Sequence, residues 1–192
     1  MGDKVGSIEV VCGPMFAGKT EELIRRIRRL VYAKKSFLVF KPAIDDRYSK
    51  KSELVSHNKT TCDSILINNS LDILNYISPT LDAVIIDEAQ FFDNNIVKIA
   101  DKLADSGIRV IIGGLDRDFK GEPFGPMPFL LAIAESVTKL TAICVKSGEA
   151  ATRTQRIINN KPANYNDPII LVGAQESYEP RSRAEHEVPG KK

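Results

Sequence analysis

The chain lacks any long apolar run. The longest candidate, residues 124–137, is broken by Pro126, Pro128 and Glu135. It falls short of the ~18 uninterrupted apolar residues that a membrane-spanning helix needs, so no membrane partner is expected. Neither sign of charge dominates: 27 Lys and Arg face 25 Asp and Glu, a formal net charge of +2. A broad basic face for nucleic acid is therefore not expected either. Cysteine is scarce and odd in number (Cys12, Cys62 and Cys144), with no Cys-x-x-Cys pair. That excludes a disulfide framework and suits a reducing, cytoplasmic setting. The opening residues, Met1-Gly2-Asp3-Lys4-Val5-Gly6, have no apolar stretch of the secretory kind. Gly6 also stands where a myristoylation pattern needs Ser or Thr. Internal repeats and low-complexity tracts are missing too. What remains is ordinary globular usage: 192 residues, 43% apolar and 27% charged. This is enough for one compact domain with a small appendage.

The first two-thirds alternate β-type runs with helical patterns. Ser7–Cys12, 37–40, 81–86 and 108–112 read as strands. Residues 20–33 read as a helix, with Leu23, Ile27, Leu30 and Val31 on one face and Arg25, Arg26, Arg28 and Arg29 mostly on the other. Ile96, Ile99, Ala100 and Leu103 repeat at helical spacing. Strands separated by helices predict an α/β fold with a mostly parallel sheet. Residues 42–62 are polar and read as a loop. Beyond about Val137 the helical pattern stops. Residues 140–145 and 168–172 read as strands flanking a polar connection, 147–167, and 175–192 as a tail with little apolar content. The expected division is 1–143, an α/β nucleotide-binding domain, and 144–192, a small β-rich subdomain.

The clearest chemical signal is Gly13-Pro14-Met15-Phe16-Ala17-Gly18-Lys19-Thr20, the full G-x-x-x-x-G-K-[ST] pattern between a strand and a helix. The glycines let successive N–H groups turn toward phosphate oxygens, and the helix N-terminus adds its positive end. Lys19 is expected on the β- and γ-phosphates of ATP, and the Thr20 hydroxyl on Mg²⁺. A second signal, Ala83-Val84-Ile85-Ile86-Asp87-Glu88, is an apolar strand ending in carboxylates. Ligands of open α/β sheets sit beyond the carboxyl ends of strands, which puts Asp87 close to Mg²⁺ and leaves Glu88 to act as a base. Together these define a P-loop nucleotide-using protein without saying which kind. A mechanical ATPase and a non-catalytic nucleotide-binding regulator stay open beside a kinase, although Lys19, Asp87 and Glu88 together speak against the regulator.

Three further stretches narrow the reading: Asp87-Glu88-Ala89-Gln90-Phe91-Phe92; Leu115-Asp116-Arg117-Asp118-Phe119 followed by Pro123-Phe124-Gly125; and Thr154-Gln155-Arg156 with Leu171-Val172-Gly173 and Tyr178. With the phosphate loop, the chain resembles the cytosolic type II thymidine kinase family from about Ile8 to Pro189. The resemblance implies a RecA-like core, a small C-terminal β subdomain, a homotetramer and transfer of the ATP γ-phosphate to the 5′-hydroxyl of thymidine. It implies feedback by dTTP as well. It makes Glu88 the base and lines the nucleoside pocket with Met15, Phe91, Leu115, Phe119, Phe124, Thr154 and Tyr178. A covering loop, Leu171, Val172 and Gly173 included, bonds the thymine through its backbone. Arg47, with Asp45 as companion, is implied to steady charge near the reaction.

The sequence departs from that family at its structural zinc, which four cysteines commonly hold. Cys144 matches the first position, but Ser147, Ser182 and Glu185 stand at the others. Serine is a poor zinc ligand beside thiolate. Loss of the metal is the favoured expectation; a site rebuilt from Cys144, Glu185 and His186 is the other. His57, in the polar loop, reads as solvated.

Overall fold

The computed structural model describes residues 5–43, 53–55, 61–170 and 176–192. Its centre is a six-stranded, wholly parallel sheet built from β1 (Ser7–Cys12), β2 (Phe37–Pro42), β5 (Ile65–Ile67), β6 (Ala83–Ile86), β7 (Arg109–Gly114) and β8 (Ser136–Lys139). The order is β5-β2-β6-β7-β1-β8. β6 is buried along its whole length, as a strand covered on both faces must be. The alternation of side chains sorts the core into two layers. Val11, Val39, Ile85 and Ile111 pack with Leu23, Ile24, Ile27 and Leu30 of α1 (Lys19–Tyr32). Val10, Cys12, Phe40, Ile86 and Ile112 pack with Ile96, Ile99, Ala100 and Leu103 of α2 (Asn95–Asp105), and with Met127 and Leu130 of α3 (Met127–Ile133).

The expected α1 face needs correction. Val31 is 57% exposed and Ile24 takes its place inside, while Arg26 is buried at 7%. The cause is electrostatic. Glu9 on β1 and Glu22 one turn back accept from the Arg26 guanidinium, and Thr138 on β8 completes the set. A buried cation needs such partners.

The other differences lie outside the main layers. Pro42 ends β2, and within 42–62 a hairpin forms from β3 (Glu53–Val55) and β4 (Thr61–Asp63). The edge strand β8 is polar and carried no strand pattern in the sequence. Of 140–145, only β9 (Ala142–Ile143) is a strand, pairing antiparallel with β10 (Ala150–Ala151). Pro168 to Ile170 are not extended into a strand; the rest of the expected 168–172 run lies outside the described residues. The supposed connection and tail instead supply β11 (Arg153–Ile158) and β13 (Glu176–Arg181), which with β12 (Lys161–Pro162) form an antiparallel sheet in the order β12-β11-β13. Beyond β13 the chain docks back: Gln155 exchanges two hydrogen bonds with the Glu187 backbone, and the His186 ring reaches the Phe119 carbonyl at 2.9 Å. No helix among the described residues is long and apolar enough to cross a membrane.

Candidate active site

All six parallel strands point their carboxyl ends at the same edge, and the phosphate loop after β1 and the Asp87-Glu88 pair after β6 lie there. β1 delivers the chain to Gly13, whose φ is +145°. A Cβ there would lie 2.4 Å from the Leu140 carbonyl oxygen, so glycine alone fits. Leu140 is itself pinned, donating its N–H to Cys12 O at 2.8 Å. Gly18, with φ +83°, caps α1, and no side chain satisfies the helix end. The first-turn N–H groups of such an end attract anions, and Thr20 lies in that turn. Pro14, Met15 and Ala17 complete the loop, with Phe16 at positive φ and exposed. Met15 N donates to Thr154 Oγ1 of β11 at 3.0 Å. The nucleotide loop and the small sheet are thus in direct contact.

Lys19 Nζ donates to Pro14 O at 2.7 Å, folded over its own loop. Burial pulls its pKa below the ordinary lysine value, while the carboxylates of Glu88, Asp87 and Asp116 push the other way. Asp87 ends the strand run and is 3% exposed. Burial, then the neighbouring Glu88 charge, raises its carboxyl to about 7 against the pull of Lys41 and Lys19. Lys41 Nζ, at the end of β2, stands 3.6 Å from Asp87 Oδ2. Space for that carboxylate comes from Gly113, where a Cβ would sit 3.2 Å from Asp87 Oδ1. Glu88 takes a left-handed backbone, φ 52° and ψ 41°, which turns the chain at the strand end. It is half-buried. A carboxylate at the strand end beside a phosphate loop suits a divalent ion that is shared with bound phosphate. A second carboxylate in the field of Lys19 can take a proton from an incoming hydroxyl.

The loop after β7 forms the next wall. Asp118 closes it by accepting from the N–H groups of Lys120 and Glu122 at 2.9 and 3.0 Å. Phe124 meets Phe91 edge to face, centroids 5.4 Å apart. Phe119 is buried beneath the Arg156 guanidinium, 5.0 Å from the ring centroid. Tyr178 on β13 lies opposite Arg156 on β11, and Thr154 opposite Pro180. Leu115 donates its N–H to the Gln90 side chain at 2.9 Å. The structure therefore groups Met15 with Thr154, Phe91 with Phe124, and Phe119 with Arg156. Arg47, Asp45, His57, Leu171, Val172 and Gly173 lie outside the described residues. Sequence reasoning missed Lys41, Gln90, Arg156 and the Lys139–Asp116 ion pair of 2.8 Å. Lys41 directly follows the apolar run 37–40, and that position was the signal available for it; Lys139 ends β8, whose polar sequence offered none.

A phosphate loop at the carboxyl edge of a parallel sheet, with a cation and two acidic groups in one another's field, is the arrangement of a P-loop nucleotide-using protein. The chain belongs to the thymidine kinase family: the model of that family, described as Thymidine kinase, matches residues 6–186. Among its relatives is the protein named Thymidine kinase of Onion yellows phytoplasma (strain OY-M), 61% identical over 181 residues, 94% of this chain and 87% of the relative. The protein of the same name from Aster yellows witches'-broom phytoplasma (strain AYWB) is 59% identical over the same shares.

Proposed function

We propose that this chain transfers the γ-phosphate of ATP to the 5′-hydroxyl of thymidine, giving thymidine monophosphate and ADP. The observation that carries the reading is the convergence of Lys19, Asp87 and Glu88 beside a loop whose Met15 amide is held by Thr154. Glu88 accepts the 5′-hydroxyl proton as the oxygen attacks the γ-phosphorus, and the β–γ bridging oxygen leaves with ADP. Lys19 and the loop N–H groups hold the phosphates and offset the charge that develops. Thr20 and the enclosed Asp87 carboxylate suit Mg²⁺, which supplies further charge neutralisation when bound. Met15, Phe91, Leu115, Phe119, Phe124, Thr154 and Tyr178 enclose the nucleoside, with Leu171, Val172 and Gly173 bonding the base and Arg47 near the reacting phosphate. We assign the nucleotide site to 1–143 and the substrate-covering part to 144–192. We also propose a cytoplasmic homotetramer under dTTP feedback.

The test is ATP consumption across a panel of nucleosides. Turnover is expected to depend on thymidine. Deoxyuridine should be accepted less well, since one methyl in an apolar contact is worth only ~1–3 kcal/mol. Deoxycytidine should be refused more strongly, because its exchanged donor and acceptor leave backbone partners unpaired. ATP consumption indifferent to nucleoside would point instead to a mechanical ATPase. Equal kcat/KM for thymidine and deoxycytidine would remove the backbone-reading loop from the mechanism.

The position of the family zinc supports a metal-free subdomain. Burial opposes ionisation of Cys144, but the Ser147 hydroxyl and the N–H groups of Ser182, Ser147 and Lys146 outweigh it and lower the thiol to about 6. A thiolate so held could serve as one ligand, but Ser147, Ser182 and Glu185 stand at the other three positions. Glu185 lies 3.8 Å from the Lys146 ammonium. His186, the third member of a rebuilt site, is engaged with the Phe119 carbonyl. One thiol, a carboxylate shared with an ammonium and a histidine already bonded elsewhere make a poorer zinc set than four thiolates. Elemental analysis of the purified protein should therefore find well under one zinc per chain, and a chelator should leave the melting curve in place. Stoichiometric zinc whose removal lowers Tm sharply would show that the site has been rebuilt.

A further inference from the structure

Gln90 sits in the short 3-10 turn (Ala89–Phe91) that follows Glu88 and is 2% exposed. Its carboxamide is spent on two walls of the site. Nε2 donates to Glu88 Oε2 at 2.5 Å, and Oε1 accepts from Leu115 N at 2.9 Å. Chemistry fixes the orientation. The Leu115 amide can only donate, so it must face the oxygen, and the NH₂ group is left for the carboxylate. The space beside this side chain is tight: a Cβ at Gly114 would lie 2.8 Å from Gln90 Oε1, while one at Gly125 would lie 2.3 Å from the Gln90 main-chain carbonyl oxygen. Gly114 leads into Leu115, and Gly125 follows Phe124 of the aromatic pair. A buried amide with both ends bonded holds its rotamer tightly.

We propose that Gln90 is the positioning residue of this kinase. It fixes the Glu88 carboxylate and ties it to the main chain at Leu115, where the nucleoside wall begins. This inference rests on the reading of Glu88 as the base. A carboxylate without that donor is free to rotate away from the 5′-hydroxyl, and misplacement of about 1 Å costs about 10²-fold in rate. Nucleoside contacts along the loop after β7 and alignment of the base become one rigid unit rather than two events.

The decisive variant is Gln90→Glu. It keeps the shape of the side chain and the acceptor for Leu115 N, and replaces the donor that faces Glu88 with a carboxylate oxygen that repels the base instead of holding it. The expected result is a kcat lower by about 10–10²-fold, with the KM for ATP within about twofold of wild type. In a Glu88→Gln background the same substitution should cost almost nothing further, because its effect passes through Glu88. Gln90→Met, apolar at similar length, repeats the comparison should Gln90→Glu lower Tm. Wild-type kcat in both Gln90 variants, or losses that multiply with that of Glu88→Gln, overturns the positioning role and leaves the base reading standing. Unchanged kcat in Glu88→Gln alone overturns the base reading, and the inference goes with it.

Discussion

Lys19→Ala should lose at least about 10³-fold in phosphoryl transfer while its melting temperature stays within a few degrees of wild type. The ammonium is not a structural prop. Its visible bond is to a carbonyl of its own loop, Pro14 O, and the loop's shape is set by Gly13 against Leu140 and by Met15 against Thr154. The same ammonium is enclosed, with its pKa drawn down by burial, so its removal also lifts a desolvation cost. What disappears is the one loop cation able to follow charge onto the transferring phosphate. A single preorganised donor is worth ~10²–10³-fold, and a full charge on a phosphoryl group more. The check is a steady-state assay beside a thermal melt. Wild-type turnover in a folded Lys19→Ala protein would remove the phosphate loop from the mechanism.

Glu88→Gln should lower kcat by about 10²–10⁴-fold, the usual worth of a positioned general base. KM for ATP and thymidine should hold, since the amide keeps the size and most contacts of the carboxylate. The protein should also fold as before. Steady-state kinetics with each substrate varied in turn gives both numbers. If kcat were unchanged, the proton would be going elsewhere. Asp116 is the next carboxylate, but it is engaged with Lys139 at 2.8 Å and would have to leave that partner to serve.

The main sheet was legible because its signals are local. Ile8, Val10 and Cys12 alternate with Val11 at the period of a strand, and Ile96, Ile99, Ala100 and Leu103 repeat at that of a helix. The small sheet was illegible for the opposite reason. β11 buries Arg153, Gln155 and Arg156, which read as solvated until their partners are known. Arg156 donates to Pro168 O, 12 residues on, and Gln155 meets Glu187, 32 residues on. Arg26 was misjudged on the same ground, since Glu9 lies 17 residues back. In the site, fixed spacing exposed Gly13, Gly18, Lys19 and Thr20. Gln90 stayed hidden because one of its two bonds runs to an amide 25 residues away.

The left-handed backbone at Glu88 sets two selective pressures against each other. A residue with a Cβ pays about 1–2 kcal/mol to hold φ near +52°, and glycine would hold it freely. Mutational drift scored on robustness alone therefore favours glycine at position 88, the change that discards the carboxylate. Glu88→Gly is therefore expected to melt no lower than wild type, so the glutamate stands on this turn at a cost in backbone strain rather than for the stability of the fold.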